Sequence, residues 1–126
     1  MLKYIINIID MLLKINDYIK TARVWQWAKN FVVFTLPVGV GSLEADILIK
    51  VTIAFIGVSL ISSATYVLND LKDVNIDKLH PVKKNRPIAS GRLKKTQSIF
   101  FSVTLILLGL FLLLNLSFYS LIYGIL

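Results

Sequence analysis

The sequence predicts an all-α integral membrane protein, the N-terminal portion of a multi-span helical bundle, and three observations predict it. Hydrophobic residues make up 56% of the 126 positions and the mean hydropathy is +0.75, whereas the apolar share of a soluble domain lies nearer half even with glycine counted. The apolar residues fall into uncharged runs, some long enough to cross a bilayer. The formal net charge of +7 is confined to the stretches between those runs, where it suits anionic headgroups and phosphorylated ligands. No base-stacking motif or basic helix accompanies the charge, which argues against nucleic acid as a partner. The absence of cysteine excludes a disulfide framework and a thiolate metal site.

Residues 1–22 form an interfacial amphipathic helix. Ile5, Ile8, Ile9, Leu12 and Ile15 lie on one helical stripe, while Lys3, Asn7, Asp10, Lys14 and Asp17 interrupt the segment too often for a span. A cleavable leader fits less well, because charges fall inside the apolar part and no small-residue cleavage site follows. Residues 24–43 form the first span. Arg23 and Lys29 beside Trp25 and Trp27 are the mixture expected where a helix enters a bilayer, Pro37 kinks the segment, and Gly39 and Gly41 permit close helix contact. After a polar turn at Glu44, Asp46 and Lys50, residues 47–69 form the second span, with Ala54, Gly57, Ser59, Ser62, Ser63 and Ala64 as small residues for helix contact and Tyr66 at the interface. The uncharged run from Thr96 to the C-terminus exceeds one span. The polar point Asn115-Leu-Ser117 divides it into a third span over 97–114 and the start of a fourth over 118–126. The chain is therefore expected to be a piece of a larger bundle, or to need partner helices. Lysine and arginine bias places the N-terminal segment and the 70–95 loop in the cytoplasm and the Glu44 turn outside.

The loop between the second and third spans carries the chemistry. Residues 69–95 hold three of the seven acids and eight of the fourteen basic residues. If the second span continues as a helix, Asn69, Asp73 and Asp77 recur every four residues and Asp70 joins the same face. Three carboxylates so close repel one another unless cations lie between them. Hard oxygen donors suit Mg2+, which is held by one or two carboxylates plus substrate phosphates and keeps several waters. Pro81 ends the helix, and Pro87 and Gly91 turn the chain, so that Lys83, Lys84, Arg86 and Arg92 can fold back over the acids and bind phosphate. Together these make a metal-bridged diphosphate site. His80 is read as a helix-terminus residue, and Lys94 and Lys95 as headgroup contacts. A charged cytoplasmic loop often serves only orientation, but orientation gains little from acids in helical register.

The stretches N-D-L-K-D-V-N-I-D and K-K-N-R-P-I-A-S-G-R resemble the first aspartate-rich motif and the trailing R-P-x-x-S-G segment of the UbiA-type intramembrane prenyltransferase superfamily. With R-V-W-Q-W-A-K-N ahead of the first span, the similarity runs from about residue 20 onward and is closest to the branch that attaches phosphoribosyl groups to decaprenyl phosphate. The resemblance implies Mg2+-dependent transfer of a 5-phosphoribosyl group from phosphoribosyl diphosphate to a polyprenyl phosphate at the cytoplasmic membrane face. It implies Asp73 and Asp77 as metal ligands with Asp70 as helper, Asn69 at the donor, and Lys29, Lys83 and Arg86 on its phosphates, with Asn30 as a further substrate contact. The superfamily also has later spans and a second aspartate motif, neither of which this sequence contains, so residues 1–126 alone are not expected to turn over. The alternatives are a prenyl diphosphate-dependent transferase of the same superfamily and a non-catalytic membrane adaptor.

Overall fold

The computed structural model describes the backbone of residues 1–41 and 43–124 and the side chains of 1–41 and 43–116. Among the described residues all regular structure is helical: α1 (Leu2–Ala22), a 3-10 helix (Val24–Phe34), α2 (Thr35–Gly39), α3 (Ala45–Lys72), α4 (Val74–Leu79), a 3-10 turn (Lys83–Asn85) and α5 (Lys95–Gly124). Two of these helices, α3 and α5, are long and apolar enough to cross a membrane. The all-helical membrane class expected from composition holds.

α3 is the hub, packing against α5, the 3-10 helix and α1. It meets α5 through a pair of glycines. A Cβ on Gly109 would lie 2.8 Å from the carbonyl oxygen of Gly57 and 2.7 Å from Ile61 Cγ1, and one on Gly57 would lie 3.0 Å from the Leu113 side chain. Lipid supplies no hydrophobic drive to bring two apolar helices together, so such close backbone approach is what holds them.

The first expected span is not one α-helix. Residues Val24–Phe34 wind as 3-10 for 11 residues, well beyond the three or four that are common. The reason lies in α3. Trp27 Nε1 donates to Ser63 Oγ at 2.9 Å and Asn30 Nδ2 donates to Ser59 Oγ at 3.0 Å. Phe31 and Phe34 then pack on Phe55, with centroids 4.7 and 5.8 Å away. Three residues at about 2.0 Å each in a 3-10 helix advance as far, about 6 Å, as four residues at about 1.5 Å each in an α-helix. The tighter winding therefore keeps Trp27 and Asn30 level with serines spaced four apart. The 11 residues of this helix and the five of α2 reach about 30 Å, the thickness of the hydrocarbon core.

The run after Thr96 also differs from expectation. α5 continues without a break through Asn115 and Ser117 to Gly124, because the Asn115 amide bonds back to the Phe111 carbonyl one turn earlier and needs no loop. The side chains of the expected fourth span, 118–126, and the backbone of 125 and 126 lie outside the described residues.

The buried core sits at the charged end of the helices. Ala64 and Val67 of α3, Val74 of α4, Ile88 and Leu93 of the loop and Leu105 of α5 form it, with Tyr18 and Phe101 against it. The 86–93 segment is thus a plug rather than a loose loop. Ser90 N–H bonds to Arg86 O, Gly91 N–H to Ile88 O and Leu93 N–H to Pro87 O. Gly91 takes φ +82°, a conformation that costs an L-residue about 1–2 kcal/mol.

Candidate active site

The site is built where α3 emerges. α3 ends at Lys72, and Asp73 (φ −89°, ψ 3°) joins it to α4. Helical bonding survives the joint: Asp73 N–H donates to Asn69 O at 2.9 Å and Asp77 N–H to Asp73 O at 2.8 Å. Two acids seven residues apart therefore stay on one face, and both are buried, Asp70 at 4% and Asp77 at 2% exposure.

The turn at Pro81 delivers a cation to them. His80 adopts the extended backbone favoured before proline, and its Nδ1 accepts the N–H groups of Val82 and Lys83, which starts the return of the chain. Arg86 Nη1 then lies 3.1 Å from Asp70 Oδ1 and 2.7 Å from Asp77 Oδ2. Arg23 Nη2 reaches the same Asp70 oxygen at 2.8 Å, with its guanidinium 4.9 Å above the Tyr66 ring. Two carboxylates and two guanidiniums thus neutralise each other in a partly buried cluster. Arg23 is also the left-handed C-cap of α1, at φ 50°, a strained conformation that turns the chain at the point where the Asp70 contact is made.

A second attachment lies nearby. Arg92 Nε bridges both carboxylate oxygens of buried Asp17, at 3.1 and 3.0 Å, and its Nη2 donates to Asn85 O at 3.0 Å. Since Asn85 precedes Arg86, the contacts close a ring: Asp17, Arg92, the 85–86 segment, Asp70, Arg23 and back to α1.

Two cavities share one wall. A polar pocket of about 280 Å³ is lined by Lys20, Arg23, Trp25, Gln26, Asp70, Arg86 and Pro87. An apolar cavity of about 720 Å³ is lined by residues including Tyr18, Ala22, Val24, Trp27, Phe101 and Leu105. Within residues 22–27, Arg23, Trp25 and Gln26 face the first and Ala22, Val24 and Trp27 the second.

The expected site residues are only partly brought together. Asp70, Asp77 and Arg86 form the cluster. Asn69 and Asp73 are exposed, so the three acids do not converge: among the described residues no three acids or histidines gather to hold one metal ion. The physical reason is that Arg86, rather than a shared cation, neutralises the buried pair. Lys29 and Lys83 are exposed and line neither cavity, and Asn30 is spent on Ser59. Asp17, Lys20, Arg23 and Gln26 were not expected at the site, and Arg92, expected to fold back over the acids of the 70–77 stretch, pairs with Asp17 instead. Asp70 lies 47 positions from Arg23, and Asp17 lies 75 from Arg92, and no local spacing signals such contacts.

Magnesium is what the motif implies, and the donor chemistry bears on it. Asp70 and Asp77 commit oxygens to arginine, while Asn69 and Asp73, one turn apart, present theirs to solvent. A donor set of that kind fits an ion held largely by substrate phosphates.

Comparison with known proteins decides the family: residues 30–126 match the model of the UbiA prenyltransferase family. The chain belongs to that family. This UbiA-family chain is 43% identical over 82 residues to the decaprenyl-phosphate phosphoribosyltransferase of Mycolicibacterium smegmatis, covering 61% of the chain and 26% of that protein. It is 40% identical over 78 residues to the digeranylgeranylglyceryl phosphate synthase of Sulfurisphaera tokodaii, covering 62% and 27%. Against the uncharacterized protein y4nM of Sinorhizobium fredii it is 33% identical over 98 residues, covering 76% and 19%. The chain thus spans about a quarter or less of the length of these relatives. No solved structure matches it.

Proposed function

We propose that this UbiA-family chain forms part of an enzyme that transfers a 5-phosphoribosyl group from phosphoribosyl diphosphate to a polyprenyl phosphate at the cytoplasmic membrane face. The observation that carries the proposal is the shared wall at residues 22–27, with a cationic pocket on one side and an apolar cavity on the other. An amphiphile with a phosphorylated head and an isoprenoid tail has the matching chemistry. The similarity to decaprenyl-phosphate phosphoribosyltransferases supports the phosphoribosyl group as cargo.

In the reaction, an anionic oxygen of the lipid phosphate attacks the anomeric carbon of the donor. A C–O bond forms there as the C–O bond to diphosphate breaks, and diphosphate leaves with the bonding pair. No proton need move. Arg23, Arg86 and Lys20 supply fixed positive charge where the departing group gathers negative charge, the arrangement that favours a transition state over its ground state. Magnesium, when bound, would add to that charge, and the residues that would hold it are Asp73, Asp77, Asp70 and Asn69. Phosphate competes well for a guanidinium because it offers the same two-oxygen edge as a carboxylate.

A prenyl diphosphate-dependent transferase is the second reading, favoured by the 40% identity to a digeranylgeranylglyceryl phosphate synthase. Calorimetric titration of the chain in lipid nanodiscs separates the two. Magnesium-dependent binding of phosphoribosyl diphosphate, lost in Asp73→Asn, is expected. Binding of geranylgeranyl diphosphate with no response to phosphoribosyl diphosphate would replace the first reading with the second, and no binding of either would favour the adaptor.

A further inference from the structure

We infer that the polar pocket beside Asp70 takes a phosphorylated polyol, with Gln26 accepting a hydrogen bond from one of its hydroxyls. The pocket lining carries three cations, Lys20, Arg23 and Arg86, against one acid, Asp70. Asp70 is already engaged by both arginines, and Lys20 has no ion pair among the described residues. Asp77, just outside the lining, balances Arg86, so the uncompensated charge is that of Lys20, and it calls for an anion. Gln26 lines the same pocket, and its amide oxygen is buried and has no hydrogen-bond partner. It is an acceptor, and a buried acceptor left unpaired is destabilising unless a ligand supplies a donor.

A phosphate or diphosphate stripped of its last proton, as magnesium binding favours, offers acceptors only, so it answers the cations and leaves Gln26 unanswered. An isoprenyl diphosphate has the same deficit, because its chain carries no polar hydrogen. A sugar phosphate answers both features at once. The volume agrees: about 280 Å³ lies just under the range of pockets that enclose drug-sized ligands, room for one sugar phosphate without an isoprenoid chain. The tail has its own cavity across the wall. The Gln26 backbone N–H donates to Arg23 O at 2.7 Å, which fixes the backbone turn between the two residues.

This deepens the phosphoribosyl reading above and rests on it. Sites that hydrogen-bond a substrate hydroxyl reject analogues lacking it far more sharply than apolar pockets reject a missing methylene. Gln26 is therefore a specificity-determining residue for the sugar-bearing donor over a prenyl diphosphate.

The test titrates the whole chain in nanodiscs, with magnesium, with phosphoribosyl diphosphate, ribose 5-phosphate and inorganic diphosphate. Gln26→Leu removes the acceptor at similar size, and Gln26→Glu keeps an acceptor oxygen. Loss of one good hydrogen bond to a buried group predicts about tenfold weaker binding of both sugar phosphates in Gln26→Leu, an unchanged affinity for inorganic diphosphate, and partial recovery in Gln26→Glu. Equal weakening for inorganic diphosphate would mean a purely structural role and overturn the inference. So would unchanged sugar-phosphate binding in Gln26→Leu, which leaves the phosphoribosyl reading standing. Wild-type chain that binds no sugar phosphate overturns both.

Discussion

Removing Arg86 tests whether the acidic pair is held by a guanidinium. In Arg86→Ala, Asp77 loses the one ion-pair partner it has among the described residues, while Asp70 keeps Arg23. A carboxylate with 2% of its side chain exposed is then left charged and unpaired. Breaking a buried pair costs about 3–5 kcal/mol. The Arg86 side chain is 30% exposed, so water can partly fill the vacated position, and the lower end of that range, about 3 kcal/mol, is expected. For a chain of this length that lowers the melting temperature by roughly 10 °C, readable by far-UV circular dichroism in detergent micelles. The double variant Arg86→Ala with Asp77→Asn leaves no uncompensated charge at Asp77 and should recover more than half of the loss, a coupling that a double-mutant cycle isolates. If Arg86→Ala melts with the wild type, or Asp77→Asn adds its own loss instead of relieving the first, Arg86 does not neutralise the pair and the cluster described above is wrong.

Two further perturbations probe the scaffold. Gly109→Ala puts a Cβ within 2.8 Å of the Gly57 carbonyl oxygen, so α3 and α5 must separate. A loss of about 1–3 kcal/mol from overpacking should outweigh the gain of about 1 kcal/mol in helix propensity. Gly57→Ala should cost less, since its nearest neighbour, at 3.0 Å, is the flexible Leu113 side chain; the reverse order in thermal melts would refute the crossing geometry. At Gly91 there is open space but φ is +82°, so Gly91→Ala should cost about 1–2 kcal/mol through the backbone alone. Asparagine, which tolerates that region better, should restore part of it, and equal melts for the two variants would count against a backbone origin.

How much of this was legible beforehand depends on the range of the interaction. Spacing along one helix could be read: Asp70 and Asp77 share a face, Pro81 stops the helix and Arg86 returns over the acids. Length and hydropathy identified α3 and α5. Asp73 was harder, because ideal periodicity places it near the other two, and the joint that turns it outward is a matter of two dihedral angles. Asn30 was assigned to substrate on the family resemblance alone; its use as a strut to Ser59 depends on which helix lies alongside. The 3-10 winding had a trace in the residues, Trp27 and Asn30 three apart facing Ser59 and Ser63 four apart, but only their pairing gives those spacings meaning. Asn115 looked like a break because polarity was counted without its own backbone as the partner.

The ring of charged contacts fastens α1 twice, at Asp17 and at Arg23. A rod pinned at one point can swivel about it, whereas two pins fix its heading. The angle at which this otherwise exposed helix leaves the protein is therefore inherited from the carboxylates of Asp17, in its C-terminal part, and of Asp70 on α3. Lifting it away requires both fastenings to open, and the second of them, at Asp70, forms part of the wall of the polar pocket.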